Sequence, residues 1–180
     1  IALGESVILI GATFASADTW DFAHANALAS AFIGAAAMWW MYFATISEEA
    51  HHAFTHHSDP GKLARVGYTY AHIPMVAGIV LTAIGNEMLL AHPTGHAEAV
   101  TTLILIGGPA LFLVGLAWFY VVFCESVPWS YLAGLAALGA CWFVAPHLEP
   151  MWFGALTTVI LIAVATSETF DHSKQGQEHR

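Results

Sequence analysis

Few residues in this chain could do chemistry, and most of them lie within apolar runs. Glu5 sits in Ile1-Ala2-Leu3-Gly4-Glu5-Ser6-Val7-Ile8. If that run leaves a membrane near Ser16, Glu5 lies about 16 Å below the surface, near the midplane, at about 1.5 Å of rise per helical residue. A carboxylate at that depth is costly unless it is paired, hydrated or protonated. Two roles meet that condition: a protonated acid bonded to a neighbouring helix, or a step in a proton or cation pathway.

A second group lies between Val66 and Leu90. At about 100° per residue, Tyr68, His72, Asn86 and Glu87 fall within about 60° of one direction. Met75, Val76, Ile79 and Ala83 fill the stripe between them. This pattern suits an inward helix face, polar near both ends and apolar in the middle. Imidazole titrates near neutral pH, so His72 is either a neutral donor to a facing helix or a proton acceptor and substrate contact. Glu87 is nearer the surface, where a solvated helix-end acid is an equal reading. Pro74 removes a backbone hydrogen bond, which should bend the helix near His72 and free a carbonyl.

A third group is Glu48-Glu49-Ala50-His51-His52-Ala53-Phe54-Thr55-His56-His57. On a continued helix, Glu48, His52 and His56 recur every four residues, and paired histidines at that spacing can hold a divalent metal. His51, His52, His56 and His57 are therefore the candidate metal or pH site. The alternative is a solvated juxtamembrane segment. The order of residues is not His-Glu-x-x-His, and no phosphate loop, nucleophile elbow or Cys-x-x-Cys pair occurs.

The elements that must position these groups are hydrophobic. Of 180 residues, 58% are hydrophobic and 9% charged, against about 25% charged in a soluble domain. Six apolar runs follow one another: Ile1–Ala17, Ala25–Ile46, Val66–Leu90, Ala99–Cys124, Tyr131–Ala145 and Met151–Thr166. They lack the alternation of strands, and helices satisfy their own backbone in lipid. The expectation is an all-α, polytopic transmembrane bundle of about six helices, one domain over residues 1–180, with a polar cytoplasmic tail over 167–180. The chain opens inside an apolar run, as the C-terminal part of a longer protein would. Gly107-Gly108-Pro109 interrupts the fourth run, where a static kink or a broken-helix site could form. Trp39-Trp40-Met41-Tyr42-Phe43 reads as an interfacial aromatic belt. The last two runs read as scaffold, with Thr157 and Thr158 bonding back to their own helix. Cys124 and Cys141 read as packed thiols.

The net charge of -9 excludes nucleic acid as a partner. All four basic residues, Lys62, Arg65, Lys174 and Arg180, fall in the segment after the second run or the tail after the sixth. The positive-inside rule puts the 47–65 loop and the C-terminus in the cytoplasm.

Taken in order, Ile1-Ala2-Leu3-Gly4-Glu5-Ser6, Trp39-Trp40-Met41-Tyr42-Phe43, Tyr70-Ala71-His72-Ile73-Pro74-Met75-Val76-Ala77-Gly78-Ile79-Val80, Ala91-His92-Pro93 and Gly107-Gly108-Pro109-Ala110-Leu111-Phe112-Leu113 resemble the bacterial low temperature requirement A (LtrA) family, from Ile1 to about Phe119. The resemblance implies a multi-pass protein of the bacterial inner membrane linked to growth in the cold, in members about twice as long. It places the family's motif on Glu5, Trp39, Trp40, Tyr42, His72, Pro74, Gly78, Gly108 and Pro109. The family often has an acid just after its Trp-Trp-x-Tyr-Phe, where this chain has Ala44.

The functional expectation is transport of a small solute or ion, proton-linked, through a polar site containing Glu5, His72, Tyr68, Asn86 and Glu87. The partners would be the bilayer, the solute and the N-terminal half of the same protein. The alternatives are a non-catalytic sensor or structural protein of cold or envelope stress, and an intramembrane enzyme using a divalent metal at His51–His57.

Overall fold

A computed structural model of the chain describes residues 2–15, 21–56, 61, 65–124 and 127–178. Six α-helices account for almost all of them: α1 Ala2–Ala15, α2 Phe22–His56, α3 His72–Ala91, α4 Ala99–Cys124, α5 Trp129–Val144 and α6 Pro150–Glu178. A π-helical turn, Val66–Tyr70, leads into α3, and a 3-10 turn, Ala145–His147, follows α5. No strand occurs among the described residues. The fold class is all-α, as composition required.

Four segments are long and apolar enough to cross a membrane: Val66–Ala91, Ala99–Phe123, Trp129–His147 and Pro150–Phe170. Where about six spans were expected, six helices form, and four of them meet that measure among the described residues. α1 is described over only 14 residues, and the side chains of α2 are described only to Phe43. Outward side chains are apolar, with Ile73, Val80, Leu103, Phe143 and Val159 all about half exposed or more, as a hydrocarbon solvent demands.

Two boundaries differ from the sequence reading. α2 continues through His56, well beyond Ile46. Between Ala44 and Asp59 there is no Gly or Pro, so nothing breaks the hydrogen-bond ladder where the apolar run stops. α6 continues to Glu178, past the expected tail boundary at 167. Thr166 and Ser167 return their hydroxyls to the carbonyls of Ile162 and Ala163, which lets polar side chains ride on a helix that has not ended.

Closest packing orders the helices as a ring: α3 against α4, α4 against α5, α5 against α6, α6 against α2, and α1 across α2 and α3. α4 supplies much of the interior, with Phe112, Leu113, Leu116 and Phe119 fully buried. At one end, the Met151 N–H donates to the Pro93 carbonyl at 2.9 Å, and the Phe22 and Trp152 rings lie 6.2 Å apart. At the other, the Trp40 indole donates to Thr169 at 3.1 Å. The chain turns between α3 and α4 at Gly95, whose φ of 90° suits glycine.

The tightest seam is α3 against α4. A Cβ on Gly78 would collide with the backbone of Phe112 and lie 2.8 Å from the Gly108 carbonyl oxygen. One on Gly108 would stand 2.6 Å from the Thr82 nitrogen, and one on Gly115 2.7 Å from the Met75 nitrogen. Apolar burial gives little drive between helices in lipid, so such close backbone approach supplies the association through dispersion. Pro109 lies beside this seam, and α4 runs unbroken through it from Ala99 to Cys124. The broken-helix option for Gly107-Gly108-Pro109 is therefore not what forms. Thr157 bonds back to the Gly154 carbonyl as expected, but Thr158 reaches across to the Ser30 carbonyl on α2 at 2.9 Å. The reason is proximity: a Cβ on Gly34 would meet the Thr158 hydroxyl at 3.2 Å. Cys141 is a buried free thiol; the Cys124 side chain lies outside the described residues.

Neighbouring glycines should therefore behave oppositely. Gly107 has open space at its Cβ position, so Gly107→Ala should stabilise by about 0.5–1 kcal/mol through helix propensity. Gly108→Ala should destabilise by about 1–3 kcal/mol, the usual range for overpacking. Thermal unfolding of the two variants in detergent checks the pair.

The start of α2 makes a second prediction. Asp21 accepts the His24 backbone N–H at 3.0 Å and meets the His24 ring at 2.7 Å. Those bonds, the backbone one first, hold its carboxyl below the ordinary aspartate value. The stabilisation is present above the unfolded-state pKa and is lost as pH falls through the lower folded value. Asp21→Ala should lower the melting temperature at neutral pH, and the gap to the parent should close below about pH 4.

Candidate functional site

The geometry around His72 begins with Pro74. Having no N–H, Pro74 cannot donate to the Tyr70 carbonyl one turn back, and its ring crowds that carbonyl. The chain widens instead, and the Ala71 N–H reaches five residues back to the Val66 carbonyl at 3.0 Å. The expected local distortion takes the form of a π-helical turn. The Gly67 carbonyl, which would otherwise pair with Ala71, accepts from the His72 ring at Nδ1, 3.0 Å away. A carbonyl only accepts, so Nδ1 carries the proton. In the neutral ring Nε2 is then the acceptor, and it takes the Tyr42 hydroxyl at 3.1 Å.

The result is a directed chain from the Tyr42 O–H through the imidazole to the Gly67 carbonyl, joining α2 to the entrance of α3. Three aromatic rings enclose the imidazole. Tyr68 stacks on it at 5.7 Å, Tyr42 meets it edge-on at 5.8 Å, and Phe119 of α4 lies at 6.2 Å. Gly67 is buried against the Phe123 ring, which a side chain there would strike.

Beside this chain lies a cavity of about 600 Å³. α1 borders it with Leu3, Gly4 and Val7, α2 with Trp39 and Tyr42, and α3 with His72 and Val76. Trp39, Phe43 and Val76 are each about half exposed, so the cavity opens on the flank of the bundle. Among the described residues its walls are apolar apart from Tyr42, His72 and the indole of Trp39.

Of the five residues of the expected polar site, the four on α3 and its entrance fall into two separate pairs. Tyr68 and His72 are at the entrance of α3, while Asn86 and Glu87 are near its far end. Asn86 is buried and Glu87 exposed. Glu87 lines a separate cavity of about 630 Å³ with His92, His96 and Glu98. Glu5 is a helical residue of α1, next to the cavity-lining Gly4, but its side chain lies outside the described residues. His51, His52 and His56 are helical residues of α2 whose side chains also lie outside, as does His57. Among the described residues, no three His, Cys, Asp or Glu side chains are grouped to hold a metal.

One polar group was missed from the sequence. Glu168, assigned to a solvated tail, is 4% exposed. It accepts the Tyr120 hydroxyl at 2.5 Å on Oε1 and the Ser130 hydroxyl at 2.8 Å on Oε2. The missed signal was helical spacing: Leu161, Val164, Ala165 and Glu168 continue one buried face of α6. The aromatic pair likewise gained a role, since Trp40 bonds Thr169 and Trp39 lines the cavity.

The motif residues thus fall into three physical tasks. Gly78 and Gly108 close the α3–α4 seam, Pro74 widens the turn before α3, and Tyr42 and His72 form the polar wall of the cavity. The family model described as "Bacterial low temperature requirement A protein (LtrA)" matches residues 1–166. An uncharacterized protein of Rhizobium meliloti (strain 1021) is 35% identical over 173 residues, 93% of this chain and 41% of that protein. The chain therefore spans about two fifths of that relative's length. No solved structure matches. With four helices apolar and long enough to cross a bilayer and a family match over most of its length, the chain is an integral membrane protein and belongs to the bacterial LtrA family.

Proposed function

We propose that this protein binds and moves a small solute through the cavity between α1, α2 and α3, with Tyr42 and His72 as its polar contact. One observation carries this reading: a cavity of about 600 Å³ whose described walls are largely apolar and carry the hydrogen-bonded pair Tyr42 and His72. Pockets of that size and character suit small ligands. The described walls suit a solute with an apolar body and a hydrogen-bonding group. The opening on the bundle flank suits entry from the hydrocarbon. Proton linkage through Glu5 and His72 belongs to the same proposal. So does the orientation, in which Lys62, Arg65, Lys174 and Arg180 set the end carrying His72 and Glu168 in the cytoplasm.

A second reading is supported by the way His72 is held. Both ring nitrogens are engaged, and the polar residues of α3 serve opposite ends of the helix. A fixed tie of that kind suits a structural or bilayer-sensing protein.

Two variants separate the readings. Val76→Trp should fill the cavity and abolish solute binding and proteoliposome flux, measured with a panel of small amphipathic solutes. The melting temperature should change little, because Val76 is 45% exposed. Tyr42→Phe should cost about 1 kcal/mol of stability, as for one lost hydrogen bond, and weaken binding about tenfold. A parent protein that binds and moves none of the panel, yet loses stability with Tyr42→Phe, favours the structural reading.

A further inference from the structure

We infer that the solute of the cavity between α1, α2 and α3 is an organic cation: an amine with an apolar body and an ammonium group. This rests on that cavity being a solute chamber, and it follows from the direction of the hydrogen bonds in its polar wall. The Gly67 carbonyl can only accept, so the His72 ring donates to it from Nδ1. Nε2 of the neutral ring then accepts, and the Tyr42 hydroxyl commits its single proton there, 3.1 Å away.

What Tyr42 has left to offer the cavity is the lone pairs of its oxygen. A solute group that meets them has to be a donor. A carbonyl or carboxylate there would set acceptor against acceptor. Turning the Tyr42 O–H toward such a solute would strand Nε2. Moving the ring proton to Nε2 would set a bare Nδ1 against the Gly67 carbonyl. Either change leaves a polar group without its partner, which costs more than a new neutral hydrogen bond contributes.

The rest of the wall selects a charged donor over a neutral one. Phe32, Trp39, Tyr42 and Phe43 line the cavity together. The Trp39 and Phe43 rings lie 5.1 Å apart, and those of Tyr42 and Phe43 5.2 Å apart. Clustered aromatic rings attract an ammonium through their quadrupoles, Trp most strongly. No Lys or Arg is among the described residues that line the cavity, so none of them opposes a positive charge. Leu3, Val7 and Ile79 supply surface for the apolar body.

Equilibrium dialysis of the purified protein in lipid nanodiscs, with empty nanodiscs as the blank, is the test. The probes share one shape: phenylethylamine, phenylethanol, phenylacetone and phenylacetate. The amine is an ammonium at neutral pH. It should bind tightest, with the alcohol next as a neutral donor. The ketone and the carboxylate should bind about tenfold or more weaker than the amine. Val76→Trp should remove this binding, which assigns it to the cavity. Trp39→Leu should weaken the amine several-fold more than the alcohol, while the order in the parent protein needs no variant to fold. A ketone or carboxylate that binds as tightly as the amine would overturn the inference and leave the solute chamber standing. So would an alcohol that equals the amine. If neither these probes nor any of the wider panel of amphipathic solutes binds, the chamber itself fails, and the inference with it.

Discussion

The close approach of α3 and α4 is the constraint on which the rest depends. In water, burying apolar surface would hold two such helices together. In a bilayer the solvent is itself apolar, and what remains is contact between backbones. Gly78, Gly108 and Gly115 permit that contact because each lacks the Cβ that would strike the opposite main chain. Once the seam is closed, Phe112, Leu113, Leu116 and Phe119 of α4 are fully buried, and the position of every other helix is set against them.

Two polar arrangements hang on that seam, on either side of Phe119 and Tyr120. Phe119 packs against the imidazole of His72, while the next residue, Tyr120, points to Glu168. Consecutive positions on one helix thus serve the cavity side and the α5–α6 side. Both arrangements lie at the same end of the bundle, with Trp39, Trp40 and Thr169 beside them. The middle of the bundle is mostly apolar, and its buried hydroxyls Thr82, Thr157 and Thr158 are each bonded to a backbone carbonyl. Polar groups in such a chain sit where they have partners, and the Tyr42–His72–Gly67 and Tyr120–Glu168–Ser130 sets have them.

Much of this was legible in the sequence because lipid imposes a simple rule. Long apolar runs must be helices, and the six runs recovered the helices and most of their starts. Pro74 announced a local defect, since the missing N–H is a covalent fact. The ends of α2 and α6 were misjudged because hydropathy marks where the apolar face stops. A helix stops only at a breaker, and none stood at Ser47 or Thr166. Glu168 was lost for the same reason: past the end of an apolar run, an acid looks solvated until the helix is known to continue. The partner of Thr158 was beyond reach, because nothing local in the sequence places it opposite Ser30. The stripe of Tyr68, His72, Asn86 and Glu87 shared a direction, but their common helix separates the ends, so shared direction did not make a shared site.

The central claim is that the space between α1, α2 and α3 is a chamber for a solute. The most direct measurement is a cryo-EM structure of the intact protein in lipid nanodiscs. The relative in Rhizobium meliloti is more than twice the length matched here. The account predicts that the chamber of about 600 Å³ remains open beside Tyr42 and His72, with non-protein density in reach of the Tyr42 hydroxyl. A chamber filled by side chains of the same polypeptide, leaving no room at Tyr42 and His72, would contradict it.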